Sequence, residues 1–279
     1  MFKHAANEAN RPQTRMNTAL PQPSPSLKQC SRDLAQHGYC LFCNALADDQ
    51  LKVLRKRLTE QALAEKQKGF AFQDGGPSQN WGDFRDSAGE LRPQEFTEAQ
   101  GGRNQRVWML VNKGAVFLDL LKHTATRELV TGLLGDHYLL SSHTANIANP
   151  GGVAMRLHTD QWWMPQPIRP QDGYLRPSEI KRSAAASFVE PDQSLGISPP
   201  VVANCMWMLS DFVKSNGATE VVAGSHLTGA HPNQEDQSIY PILNAEGEAG
   251  TLMVFDGRLW HGTGANTGNS DRLGVLTTF

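Results

Sequence analysis

The sequence predicts a mainly β chain with helices gathered at its N-terminal end, an α+β arrangement whose second half is a β-sandwich or barrel. Three observations predict it. From Tyr138 onward, short strand-like runs alternate with Gly and Pro turns. Before that point, Leu51, Leu54, Leu58 and Ala62 recur three and four residues apart, the period of a helix with one buried face. A composition of 39% hydrophobic and 19% charged residues over 279 positions suits one globular core, and barrels of this length often form a single domain.

Residues 1–26 are polar and carry Pro12, Pro21, Pro23 and Pro25. They offer too little apolar surface to join a core and are expected to form a disordered arm. A transit peptide is the alternative, which Glu8 and the prolines oppose. One domain is expected over residues 27–279. Leu27 to His37 reads as a helix and Gly38 to Asn44 as a strand. Asp48 and Asp49 open a second helix, with Lys52, Arg55, Lys56 and Arg57 on its solvated face. Gly69 to Arg103 is rich in Gly, Asp, Gln and Pro, with Phe70, Phe72, Trp81 and Phe84 scattered through it. Two readings stand side by side there: a lid over the site, or an irregular surface segment pinned by its aromatics.

Arg106 to Met109 begins the next ordered element. Ala115 to Leu121 and Thr126 to Leu134 read as helices, with Gly135 as a stop. Tyr138 to Ile147 has strand propensity, and Asn149-Pro150-Gly151-Gly152 turns the chain. Pro165 to Pro200 is proline-rich and expected on the surface. Val201 to Asp211 reads as a strand, followed by an Asn216-Gly217 turn and a short strand to Val222. Thr251 to Phe255, a Gly turn, His261, a Gly-rich turn and a strand bearing Arg272 close the chain.

The chemistry lies in Leu157-His158-Thr159-Asp160-Gln161-Trp162-Trp163. In an extended strand residues i and i+2 point to one side, so His158 and Asp160 can reach one metal ion together. A His, a carboxylate and a second His make the facial triad of non-haem Fe(II) oxygenases. The pair alone also reads as a polar strand end. The C-terminal stretch raises it: His261 offers a third ligand 103 residues after His158, and Arg272 follows 11 residues later, across a turn that can bring it back beside the metal.

Together with Asn216-Gly217 and Gly224-Ser225-His226 between them, these residues resemble the phytanoyl-CoA dioxygenase family of Fe(II)/2-oxoglutarate oxygenases, from about Leu34 to the last residue. The resemblance implies a double-stranded β-helix, a cupin-like jelly roll whose mouth holds Fe(II) on His158, Asp160 and His261. It also implies 2-oxoglutarate on two of the remaining metal positions and O₂ on the last. The far carboxylate of 2-oxoglutarate needs a fixed cation, and the planar fork of Arg272 matches it. By the same resemblance Thr263 places a hydroxyl on the cosubstrate, and Arg106 matches a basic position that reaches it. Conversion of 2-oxoglutarate to succinate and CO₂ would drive oxidation of a substrate C–H bond. Halogenating members replace the carboxylate by a small residue, so Asp160 favours hydroxylation, or a related desaturation or ring closure. Asn204 and Met206 share one side of their strand and line the pocket, with core packing equally open for Met206. Of Trp162 and Trp163 one faces the substrate and the other packs in the core. Asn146 either bonds substrate or cosubstrate, or is a satisfied buried amide. His226 and His231 lack the Gly-rich turn and Arg that follow His261, so structural or substrate-lining roles are expected for them.

A net charge of −2 implies no long-range attraction to nucleic acid or an anionic membrane. No apolar run approaches the length of a membrane span, and the N-terminus lacks a secretory apolar region. Cys40-x-x-Cys43 has no second pair and reads as part of a buried strand, with Cys30 and Cys205 the remaining thiols. So few cysteines fit a reducing compartment, and a cytoplasmic location is expected. No basic cluster suggests an acyl-CoA. The expected partner is a small-molecule substrate, handled by a monomer or homodimer. A non-catalytic metal-binding jelly roll and a metal-dependent cupin enzyme that does not use 2-oxoglutarate are the alternatives; Arg272 discriminates against the second. The chain stops at Phe279, directly after the last expected strand, whereas relatives often continue.

Overall fold

A computed structural model describes residues 20–76, 102–161, 164, 197–232 and 237–279. Helix α1 (Leu27–His37) begins where the Ser26 hydroxyl accepts from the Gln29 amide at 3.3 Å. It ends at Gly38, whose φ of 81° suits a residue without Cβ. A Cβ at Gly38 would also lie 2.6 Å from the His226 ring, so glycine lets this imidazole pack against the helix end. Strand β1 (Tyr39–Phe42) follows, then α2 (Asp48–Gln67), which buries Leu51, Leu54, Leu58 and Ala62 as their spacing predicts. Asp48 and Asp49 in its first turn complement the helix dipole.

Next come β2 (Phe72–Asp74), β3 (Asn104–Val107), α3 (Ala115–Leu121), α4 (Thr124–Leu134) and β4 (Ser142–Ala148). The second half contributes β5 (Ala203–Met208), β6 (Thr219–Val221), β7 (Leu243–Ala245), β8 (Leu252–Asp256), β9 (His261–Thr263) and β10 (Arg272–Thr278). Among the described residues these form a seven-stranded antiparallel sheet, in the order β1-β8-β5-β10-β4-β3-β2, and a three-stranded sheet, β7-β6-β9.

The large sheet is covered on both faces, which is why β8 reads as an almost unbroken apolar run rather than an alternation. Its outer face (Cys40, Val107, Ala145, Ile147, Cys205, Trp207, Val254 and Val275) packs against the helices through Leu34, Leu54, Leu58, Phe117 and Leu129. Its inner face (Tyr39, Leu41, Met206, Met208, Met253 and Phe255) packs against Ala218, Val221 and Ala245 of the small sheet and its connections. Two sheets facing each other across this core make the double-stranded β-helix. Polar residues interrupt the inner face in register: Arg106 lies opposite Asn146, Asn146 opposite Gly274, and Asn204 opposite Thr278. With a side-chain period of two, Arg272 shares that face with Gly274 and Thr278.

Three expectations are corrected. The N-terminal arm does not run loose to residue 26: Ser24 bridges Phe42, and its amide donates to the Leu41 carbonyl at 2.9 Å. The strand expected from Tyr138 starts at Ser142, and Leu139 is 86% exposed. The segment Gly69 to Arg103 is not wholly irregular, since β2 pairs with β3 at its start; residues 77–101 lie outside the described ones, as does the lid assigned to them. The proline-rich stretch also lies largely outside them. Among the described residues no helix is long and apolar enough to cross a membrane.

Candidate metal centre and diacid pocket

His158, Asp160 and His261 come together, each offering one ligand atom, and the three atoms lie within 4.8 Å of one another. The expected single strand does not carry the first two. His158 makes an isolated antiparallel bridge with His261, its amide donating to the His261 carbonyl at 2.9 Å and its carbonyl accepting at 3.0 Å. The chain then turns, because the Asp160 amide donates to the Gly257 carbonyl at 2.8 Å. Convergence thus comes from two backbone ties to the β8–β9 turn and to β9, not from strand pleating.

Side chains hold this segment where it has no strand partner. Gln237 accepts from the Leu157 amide at 2.8 Å and donates to the Leu157 carbonyl at 3.0 Å. Gln161 accepts from the Val201 amide at 3.0 Å and donates to the Pro199 carbonyl at 3.1 Å. Thr159 bonds His231 Nδ1 at 2.8 Å, and His226 Nε2 donates to the Ala35 carbonyl at 3.2 Å. Both extra histidines are thereby engaged away from the ligand cluster. The buried carboxylate of Asp256 grips Arg258 through Nε at 2.9 Å, and Arg258 Nη1 donates to the Ser198 carbonyl at 2.9 Å. This pair braces the turn whose Gly257 carbonyl receives Asp160.

The imidazoles are oriented by their backbone partners. His158 Nδ1 lies 3.0 Å from the Arg156 carbonyl, and His261 Nδ1 lies 2.9 Å from the Leu259 carbonyl. A carbonyl only accepts, so each Nδ1 carries the proton and each Nε2 lone pair faces the cluster. Nε2 of His158 is 3.4 Å from Asp160 Oδ1, and Nε2 of His261 is 3.4 Å from Asp160 Oδ2. Burial acts to raise the Asp160 carboxyl, but the imidazoles, His261 foremost, outweigh it and hold the group well below the usual range. Burial lowers His158, with repulsion from His261 adding to it, whereas attraction to Asp160 overcomes burial and lifts His261. Two imidazoles and one carboxylate are the donor set that Fe(II) accepts on one face.

Along the inner face lies the second half of the site. Arg272 is 0% exposed, and its Nε, Nη1 and Nη2 have no hydrogen-bond partner among the described residues. Its guanidinium carbon sits 4.6 Å from the centre of the Phe212 ring. Burial first, then repulsion from Arg106, push it down to about 9, with Asp74 acting the other way. It therefore remains a cation at neutral pH, buried without a bonded counter-ion. Asn146 donates to Thr263 Oγ1 at 3.2 Å, while its own Oδ1 is buried and unpaired. Thr263 stands two residues after His261 on β9. Asn146, opposite Gly274 of β10, thus links the large sheet to Thr263 of β9.

Two residues expected at the cosubstrate also have protein partners. Arg106, expected on the cosubstrate, donates through Nε to Asp74 Oδ2 at 2.7 Å, so its charge is already matched. Asn204, expected to line the cosubstrate pocket, donates instead to Asp160 Oδ2 at 2.7 Å. Trp162 and Trp163 lie outside the described residues. Cys40 is buried on β1, as read from sequence, whereas Cys43 lies just past the strand and is only half-buried. Asp74, Phe212 and Gln237 went unread because nothing local marks them; each matters only through a partner 80 or more residues away for Gln237 and 32 for Asp74.

Comparison with known proteins agrees with this geometry. The family model described as phytanoyl-CoA dioxygenase (PhyH) matches residues 34–274. The dioxygenase af480 of Aspergillus fumigatus is 30% identical over 176 residues, covering 63% of this chain and 48% of that protein. The dioxygenase ALT11 of Alternaria alternata is 26% identical over 266 residues, covering 92% of this chain and 72% of that protein. The chain spans about half the length of several curated relatives that it matches, such as af480 at 48% and trt7 of Aspergillus terreus at 45%. Two solved structures share the fold. One is the non-heme alpha-ketoglutarate-dependent carbocyclase SnoK from nogalamycin biosynthesis, with TM-score 0.60, 16% identity, and 92% of this chain and 85% of that one covered. The other is HygX from Streptomyces hygroscopicus with nickel, 2-oxoglutarate and hygromycin B bound, with TM-score 0.60, 15% identity, and 90% and 86% covered. Because the family match runs through nearly the whole domain, the chain belongs to the phytanoyl-CoA dioxygenase family.

Proposed function

We propose that this chain is an Fe(II)- and 2-oxoglutarate-dependent dioxygenase that hydroxylates a C–H bond of a small molecule and releases succinate and CO₂. The observation that carries the proposal is Arg272. A buried guanidinium without a bonded partner is costly to hold, and a carboxylate that fits its fork with two parallel hydrogen bonds repays that cost. Asp74 does not serve, since it is engaged by Arg106. A diacid whose other end chelates a metal matches a buried cation on β10 of the large sheet, which faces the small sheet whose β9 carries His261 of the two-His, one-carboxylate cluster. The 2-oxoglutarate bound in HygX is such a molecule.

His158, Asp160 and His261 would hold the Fe(II). With Fe(II) and 2-oxoglutarate bound, oxidative decarboxylation supplies the oxidant for the substrate. The protein's own work is placement. The Arg156 and Leu259 carbonyls fix the two imidazole tautomers. Thr263 Oγ1 accepts from Asn146, which leaves its hydroxyl proton to donate to a cosubstrate carboxylate. Arg272 grips the far carboxylate. Phe255, whose ring centre lies 4.7 Å from that of His261, keeps one side of the cluster apolar. Such walls favour a fixed C–H approach and exclude water.

A small-molecule partner, a monomer or homodimer and a cytoplasmic location belong to the same reading. The test is succinate release from 2-oxoglutarate against a metabolite library, with product masses checked for one added oxygen. Succinate release stimulated by one metabolite that gains oxygen supports the proposal. Metal binding without any 2-oxoglutarate binding would favour a non-catalytic jelly roll.

A further inference from the structure

We propose that Asn204 is a positioning residue that keeps Asp160 to one metal bond and so preserves the position that dioxygen needs. The inference rests on the Fe(II)/2-oxoglutarate reading above. The two oxygens of Asp160 face different imidazoles, Oδ1 toward His158 and Oδ2 toward His261, each at 3.4 Å. A carboxylate straddling two ligands in this way is free to chelate an ion with both oxygens. Asn204 Nδ2 lies 2.7 Å from Oδ2 and from no other acceptor among the described residues. The amide cannot turn round. A carboxylate only accepts, so the NH₂ end must face it, and the Thr278 hydroxyl donates to Asn204 Oδ1 at 2.9 Å from the other side. Asn204 is 0% exposed, and β5 and β10 hold it opposite Thr278 in the sheet. The donor is therefore fixed in place before any ion arrives.

The count of positions gives this bond its consequence. Two imidazoles and one carboxylate oxygen use three of six positions, leaving two for the keto acid and one for dioxygen. A second bond from Asp160 would take the last. Metal and cosubstrate would still bind, and only the reaction with dioxygen would suffer. By engaging Oδ2, the amide leaves Oδ1 as the ligand atom.

The experiment compares wild type with Asn204→Leu, loaded anaerobically with Co(II) and then 2-oxoglutarate, by metal-induced difference infrared spectroscopy. The separation of the carboxylate stretches is wide for one metal bond and narrow for two. The proposal expects Asn204→Leu still to bind Co(II) and 2-oxoglutarate, with metal affinity lowered by no more than about 100-fold. It expects a narrowed carboxylate separation in the variant. With Fe(II), the KM for dioxygen in succinate release should rise at least tenfold. An unchanged separation and an unchanged dioxygen KM overturn it. Should Asn204→Leu fail to fold, Thr278→Val decides. It keeps the amide but removes the bond that anchors its Oδ1, so the grip on Asp160 Oδ2 loosens, and a wild-type separation and dioxygen KM in that variant overturn the proposal. If wild type binds Co(II) but no 2-oxoglutarate, the underlying functional reading fails instead.

Discussion

Arg272→Met removes a charge that the folded chain holds unpaired. Burial and Arg106 bring this guanidinium down to about 9, which corresponds to a cost on the order of 5 kcal/mol for keeping it charged at neutral pH. Its desolvated contact with the Phe212 ring at 4.6 Å returns about 2 kcal/mol. Methionine fills similar space without charge, so the metal-free, ligand-free variant should be more stable by about 3 kcal/mol, a rise in Tm of roughly 6–12 °C for a domain of this size. The same change should weaken 2-oxoglutarate binding by about 100-fold or more, because the far carboxylate is left buried and unpaired. Calorimetry on the apo protein and anaerobic titration of the metal-loaded protein read the two effects separately. A variant that melts below wild type refutes the reasoning. So does one that binds 2-oxoglutarate as tightly as wild type.

Three further outcomes follow from the same geometry. Affinity for 2-oxoglutarate should hold steady through neutral pH and fall as pH rises through about 9, where Arg272 loses its proton. In the apo protein the sign is opposite: unfolded arginine keeps its proton to far higher pH, so the cost is fully present below about 9 and is relieved as pH rises above it, which a pH series of melting curves detects. Gly274→Ala would set a Cβ 2.9 Å from Met206 Sδ and 3.3 Å from Arg272 Nη1; it should raise the 2-oxoglutarate Kd several-fold and leave metal affinity unchanged, as read by calorimetric titration. Gln237→Leu removes the two bonds that Gln237 makes to the Leu157 backbone beside His158, and should weaken metal binding about tenfold in a chelator competition while lowering stability by about 1–3 kcal/mol.

The ligand set was legible because its chemistry is carried by residue type and order: a His, a carboxylate, a distant His before glycines, then an Arg. The helices were legible because Leu51, Leu54, Leu58 and Ala62 keep the helical period over their whole length. What failed was local shape. The His158–Asp160 segment obeys the β8–β9 turn and β9 rather than its own pleat, since the Gly257 and His261 carbonyls capture its amides. Tyr138 to Ser141 has strand propensity but no strand described beside it at its start, and Leu139 is left to solvent. Arg106 was assigned to the cosubstrate by resemblance alone, and its pairing with Asp74 was not legible because Asp74 lies on β2, inside a stretch that looked irregular. Asn204 was placed on the inner face, but its bonds to Asp160 and Thr278 were not legible, because register across β5 and β10 is invisible in either strand alone.

One measurement bears most directly on the account: anaerobic addition of 2-oxoglutarate to the Fe(II)-loaded protein, followed by visible absorption. The account predicts a weak metal-to-ligand charge-transfer band that saturates at one cosubstrate per chain and is lost in Asp160→Ala. Protein that binds Fe(II) at one per chain yet gives no band with saturating 2-oxoglutarate would contradict it.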